Sequence, residues 1–118
     1  MIFNDGRDPK LSLRQSNMAA GHYASNQSLI NPEISPIFGD YSTPFPNFYI
    51  STGTRDLLMS QSIQLATKLK ANDISVELNI WEGLWHVFEW NNDLPESIMS
   101  IRQISDFLNQ TVARSSRR

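Results

Sequence analysis

The feature that most constrains this chain is the order of apolar patterns between Asn47 and Thr111, which alternate strand, helix, strand, helix. Asn47-Phe48-Tyr49-Ile50-Ser51 is a short run rich in aromatic and β-branched residues, opened by Pro46 and stopped by Gly53, and it reads as a strand. Ser60 as N-cap predicts a helix over residues 61–71, with Ile63, Ala66 and Leu69 inward and Leu65 beside them, ended by Asn72 in the left-handed C′ position. Val76, Leu78 and Ile80 then alternate with Glu77, Asn79 and Trp81, the pattern of a strand with one apolar face. Asp93 and Pro95 open a second helix, with Ile98, Ile101, Ile104 or Ser105, and Leu108 as its inward stripe and Phe107 adjacent, fraying near Thr111. A helix between two strands makes a crossover, which implies parallel strands joined right-handedly.

Two parallel strands and two helices do not close an α/β domain, because parallel sheets are covered on both faces and have more strands. The remaining residues add little. Pro9, Pro32, Pro36, Pro44 and Pro46 interrupt the first 46 positions, leaving one weakly helical stretch within Leu11 to Ile30, around Met18, Ala19, Ala20 and Tyr23. At 118 residues even a well-built domain buries only ~60–70% of its unfolded surface. The expected fold class is therefore α/β, as the edge of a larger sheet and incomplete as a domain. Three zones follow: an irregular or short helical segment over 1–31, the strand–helix part over 32–110, and a frayed basic tail over 111–118 carrying Arg114, Arg117 and Arg118.

Composition excludes several classes of function. A net charge of -2 gives no basic face for phosphate backbones, so nucleic acid is not an expected partner. Cysteine is absent, which removes disulfides, thiolate nucleophiles and Cys-ligated metals. His22 and His86 lack the spacing of a zinc site, and the five glycines form no dinucleotide or Walker fingerprint, so no cofactor is expected. No apolar run reaches the ~18–20 residues that span a bilayer. Residues 1–9 lack a basic stretch followed by an apolar one, so no signal peptide is read and a cytoplasmic location is the expectation.

Chemistry in parallel α/β folds gathers where loops leave the carboxyl ends of the strands. Gly53-Thr54-Arg55-Asp56-Leu57-Leu58 follows the first strand, and Trp81-Glu82-Gly83-Leu84-Trp85-His86-Val87-Phe88-Glu89 includes the end of the second and its loop. Taken singly, Asp56 is an ordinary turn or cap residue and His86 an ordinary packing residue among aromatics. Taken together, in loops leaving the same edge of neighbouring strands, they are positioned to meet. A carboxylate on imidazole Nδ1–H fixes the tautomer, leaves Nε2 free to accept a proton, and stabilises the imidazolium.

Residues 32–110 resemble the C-terminal end of an α/β-hydrolase of the hormone-sensitive-lipase-like carboxylesterase branch, the alpha/beta hydrolase fold-3 group. Ile34-Ser35-Pro36-Ile37-Phe38-Gly39-Asp40 resembles that group's SPLFGD-type segment. Pro46 to Leu58 resembles the penultimate strand and its acid loop, and Trp81 to Phe88 the loop presenting the histidine. The helix containing Ser105-Asp106-Phe107-Leu108 fits the closing helix, and Leu11 to Ile30, with Tyr23, an eroded version of the preceding helical region. The resemblance implies Asp56 as triad acid and His86 as general acid/base, with Leu84, Trp85, Val87 and Phe88 shaping the surroundings of the imidazole. It also implies small acyl esters as substrates of the complete enzyme.

On this fold the nucleophile precedes the acid, on a Gly-x-Ser-x-Gly elbow. The sequence contains no such elbow. Tyr49-Ile50-Ser51-Thr52-Gly53 lacks the first glycine and lies in the strand leading to Asp56, so Ser51 is structural. A His-Gly-Gly-Gly oxyanion segment is also missing. Losing the nucleophile alone costs on the order of 10⁶ in turnover, so the isolated chain is expected to be inactive, its Asp–His pair at most a weak general base on water. Three readings remain open: the C-terminal portion of an ester hydrolase, one half of a split hydrolase, or a non-catalytic remnant associating through the exposed edge of the first strand at Phe48 and Ile50.

Overall fold

The computed structural model describes residues 1–117, so Arg118 of the expected tail lies outside the described residues. The elements are α1 (Leu13–Ala24), β1 (Phe48–Gly53), α2 (Met59–Ala71), β2 (Val76–Trp81) and α3 (Pro95–Ser115), with 3-10 turns at Ile2–Asn4, Pro36–Phe38 and Phe88–Trp90. The strands pair in parallel, from Phe48 opposite Val76 to Gly53 opposite Trp81, as the crossover pattern requires. The two form one sheet of order β1–β2 among the described residues. β1 runs two residues further than the sequence suggests, taking in Thr52 and Gly53.

Helix α2 starts at Met59 with no side-chain cap, not after Ser60. The Ser60 hydroxyl instead accepts from the Met1 amino group at 3.0 Å and donates to Gln61. Its end is displaced by one residue as well. Asp73, not Asn72, takes the left-handed conformation, with φ 58°. Asp73 N–H then bonds to Lys70 O and Ile74 N–H to Leu69 O, the double closure of a Schellman end. Ile74 and Leu69 are both buried, which supplies the apolar contact that accompanies that motif. Lys68 fastens the Pro36–Phe38 turn to α2 by donating to the carbonyls of Ile37 and Gly39.

The inward faces differ from those predicted. On α3, Ile98, Ile101 and Leu108 are exposed, while Ser97 and Ser100 are fully buried. The Ser97 hydroxyl donates to Phe88 O at 2.9 Å and the Ser100 hydroxyl to Glu89 Oε1 at 2.8 Å. Small side chains thus let the helix approach the Phe88–Trp90 turn closely, with their polar atoms paired. Phe107 packs on Tyr49 at a centroid separation of 5.4 Å. Ile63 on α2 and Ile80 on β2 are likewise exposed. α3 does not fray at Thr111 but continues to Ser115. The buried apolar core is small: Ala24, Leu57, Ala66, Leu69, Ile74, Leu84 and Phe88. None of the helices is long and apolar enough to cross a membrane, among the described residues.

Candidate active site

The carboxyl ends of β1 and β2 are held together by a close backbone approach. A Cβ on Gly53 would stand 2.1 Å from Leu84 O and 2.5 Å from Leu84 C, so only glycine fits there. The contact lets Arg55 N–H reach Leu84 O at 2.9 Å, while Thr54 N–H bonds Trp81 O and Gly83 N–H bonds the Thr54 hydroxyl at 2.8 Å. Backbone contacts therefore tie the two loops together.

Asp56 sits in this junction, 3% exposed. Its Oδ2 accepts the Thr52 hydroxyl at 2.7 Å, and its Oδ1 accepts Leu58 N–H at 2.9 Å. His86 Nδ1 lies 3.2 Å from Asp56 Oδ1. The structure thus brings together the two titratable residues singled out in the loops. The imidazole is about one-third exposed (32%) where the carboxylate is buried, so Nε2 is the ring nitrogen free for a reacting partner. Immediately after it, Val87 adopts φ 50° and ψ 40°. A β-branched residue there costs on the order of 1–3 kcal/mol, and the turn it forces leads into the Phe88–Trp90 turn.

A hollow of about 370 Å³ opens beside the imidazole, lined by Lys10, Leu11, His86, Val87 and Trp90. Of the four residues expected around His86, Val87 lines it; Leu84 and Phe88 are buried beneath the loop and Trp85 is half-buried. Phe88 packs on Trp81 with ring centroids 5.7 Å apart.

The N-terminal segment contributes more than its irregular sequence announces. Asn4 donates from Nδ2 to Asp56 O at 2.7 Å, and Arg55 Nε donates to Arg7 O at 2.9 Å. Asp8, buried at 7% exposure, receives four backbone amides. Lys10 and Leu11 donate to Oδ1 at 2.8 and 3.1 Å; Leu57 and His86 donate to Oδ2 at 2.9 and 3.3 Å. Burial alone would push this carboxyl up, but the amides of Leu57, Lys10, Leu11 and His86 outweigh it and hold Asp8 below the ordinary value of 3.8. Asp8, Asn4 and Thr52 are site residues the sequence reading missed. The one local signal was Asp8-Pro9 followed by amides at Lys10 and Leu11, a turn pattern that says nothing of distant partners.

Comparison with known proteins bears on the family and the fold. The chain is 25% identical over 107 residues to an esterase of Acinetobacter venetianus, covering 89% of this chain and 35% of that protein. Among solved structures it resembles the esterase E25, with 31% identity, TM-score 0.82, and coverage of 92% of this chain and 34% of that one. It also resembles the hormone-sensitive-lipase homologue EstE7 from a metagenome library, with 27% identity, TM-score 0.87, and coverage of 92% and 38%. The chain thus spans about a third of the length of these relatives. The family profile described as alpha/beta hydrolase fold matches residues 3–90, which takes in the N-terminal segment with Asp8 as well as both loops. On that match and those neighbours, the chain belongs to the alpha/beta hydrolase fold family, in its hormone-sensitive-lipase-like esterase branch.

Proposed function

We propose that this chain supplies the acid and the base of a serine carboxylic-ester hydrolase, Asp56 and His86, to a nucleophile its 118 residues do not encode. The observation that carries the reading is the 3.2 Å contact between His86 Nδ1 and the buried Asp56 carboxylate, beside an open hollow. Asp56 holds the proton on Nδ1. His86 Nε2 then takes the proton of the attacking serine hydroxyl as the acyl–oxygen tetrahedral adduct forms. It returns that proton to the leaving alcohol, and repeats the cycle with water to release the acid. The substrate class is small acyl esters.

With no Gly-x-Ser-x-Gly elbow and no His-Gly-Gly-Gly segment in the sequence, these residues alone do not turn esters over. The exposed Ile98, Ile101 and Leu108 on α3 favour the companion reading that the chain works in association with further sheet. Assaying the purified chain on an activated acyl ester, alone and co-expressed with an elbow-bearing segment of a related esterase, tests both statements. Activity only in the pair, lost with His86→Ala, is the expected result. Fast turnover by the chain alone, abolished by His86→Ala, overturns the inactivity; absence of association and activity in the pair overturns the split-site reading.

A further inference from the structure

The N-terminal segment and the two loops share one buried anion. Asp8 divides its carboxylate between neighbours and strangers: Oδ1 takes the amides of Lys10 and Leu11, and Oδ2 takes those of Leu57 and His86. Leu57 directly follows Asp56, and the His86 amide belongs to the imidazole-bearing residue itself. Asp56 draws on the next amide along, that of Leu58. Two carboxylates thus use successive backbone donors, and neither competes with the other. Asn4, from the same segment, adds a bond to the Asp56 carbonyl.

We propose that Asp8 is a positioning residue for the Asp56–His86 pair, one carboxylate that sets the spacing between acid loop and histidine loop by binding a main-chain amide from each. The role rests on the reading of that pair as acid and base, and it assigns to the N-terminal segment a part in the site that neither loop performs. The Oδ2 contacts are charge-assisted, and Leu57 is buried, so nothing else satisfies its amide when the carboxylate is lost. Asp8 touches no reacting atom. It acts through His86, by fixing where the ring meets Asp56.

The test is made on the folded 118-residue chain by following the imidazole nitrogens of His86 with nitrogen-15 NMR, together with thermal unfolding. In the wild type the neutral ring is expected to carry its proton on Nδ1, donated to Asp56. Asp8→Asn retains one acceptor oxygen but directs an N–H₂ at the amides. It is expected to lower the ratio of Nδ1–H to Nε2–H by about tenfold, the worth of one charge-assisted hydrogen bond. Asp5→Asn replaces the charged acceptor of Leu13 N–H in the same segment by a neutral one and is expected to leave the ratio unchanged. If Asp8→Asn lowers the melting temperature yet keeps the wild-type tautomer, Asp8 is merely structural and the proposal is overturned. Amide exchange in the wild type gives a test that needs no variant: Leu57 and His86 amides exchanging as freely as an exposed loop would overturn it too. A wild-type ring protonated on Nε2 would sink the acid–base reading itself, an outcome separate from any effect of Asp8.

Discussion

Gly53→Ala is the most discriminating single change, because the added carbon meets backbone and not a side chain that can rotate away. Its Cβ would lie 2.1 Å from Leu84 O, and real Cβ atoms essentially never come nearer than 3.0 Å. The histidine loop must therefore retreat by about 1 Å at the least, an overpacking strain worth about 1–3 kcal/mol. The retreat stretches the 2.9 Å bond from Arg55 N–H to Leu84 O, adding about 1 kcal/mol. His86 lies two residues beyond Leu84, and its 3.2 Å approach to Asp56 already stands at the long end of hydrogen-bond distances. A shift of that size breaks it. Thermal unfolding followed by circular dichroism is expected to show a midpoint lower by about 10 °C or more for a domain of this size. NMR of His86 is expected to show loss of the preferred Nδ1–H form. A midpoint within about 2 °C of wild type, with the ring unchanged, would refute the claim that this close approach holds the ends of the two strands together.

Three further outcomes follow from the same geometry. Asp8 has its folded-state pKa held down, so its stabilisation is complete above the ordinary value of 3.8 and is lost as pH falls below it through the folded value. Urea unfolding over an acid series is expected to show wild type and Asp8→Asn a constant distance apart above about pH 4 and converging as pH falls below it. Phe88→Ala empties the most deeply buried aromatic site, against Trp81, and is expected to cost about 3–5 kcal/mol by urea midpoint. Ile101→Gln, on the exposed face of α3, is expected to change stability by less than about 0.5 kcal/mol while raising the concentration at which the chain stays monodisperse.

The two loops were legible because strand pattern and chain direction together fix where successive parallel strands end. Once Phe48 to Ser51 and Val76 to Trp81 read as strands around one helix, Asp56 and His86 had to emerge on the same edge. The faces of α3 were not legible. An apolar stripe is read as inward on the premise that the element buries it, yet a two-stranded sheet offers α3 little surface, and Ser97 and Ser100 give the closer fit to the Phe88–Trp90 turn. The end of α2 was missed by one position because Asn and Asp both tolerate a left-handed backbone, and Asn72-Asp73 presents both. Asp8 left only a local turn signal, since a carboxylate that binds distant backbone amides places no demand on the residue types supplying them.

That anchoring carboxylate also dictates an order of events. Its amide partners lie 49 and 78 positions along the chain, so closing those contacts means surrendering the freedom of long stretches of polypeptide. On that cost, turns and helices of local origin are expected to assemble first, and the corner holding Asp56 and His86 to close afterwards, when the segment bearing the imidazole arrives. Until then Asp8 remains a hydrated anion, and hydration of that one group competes with completion of the corner.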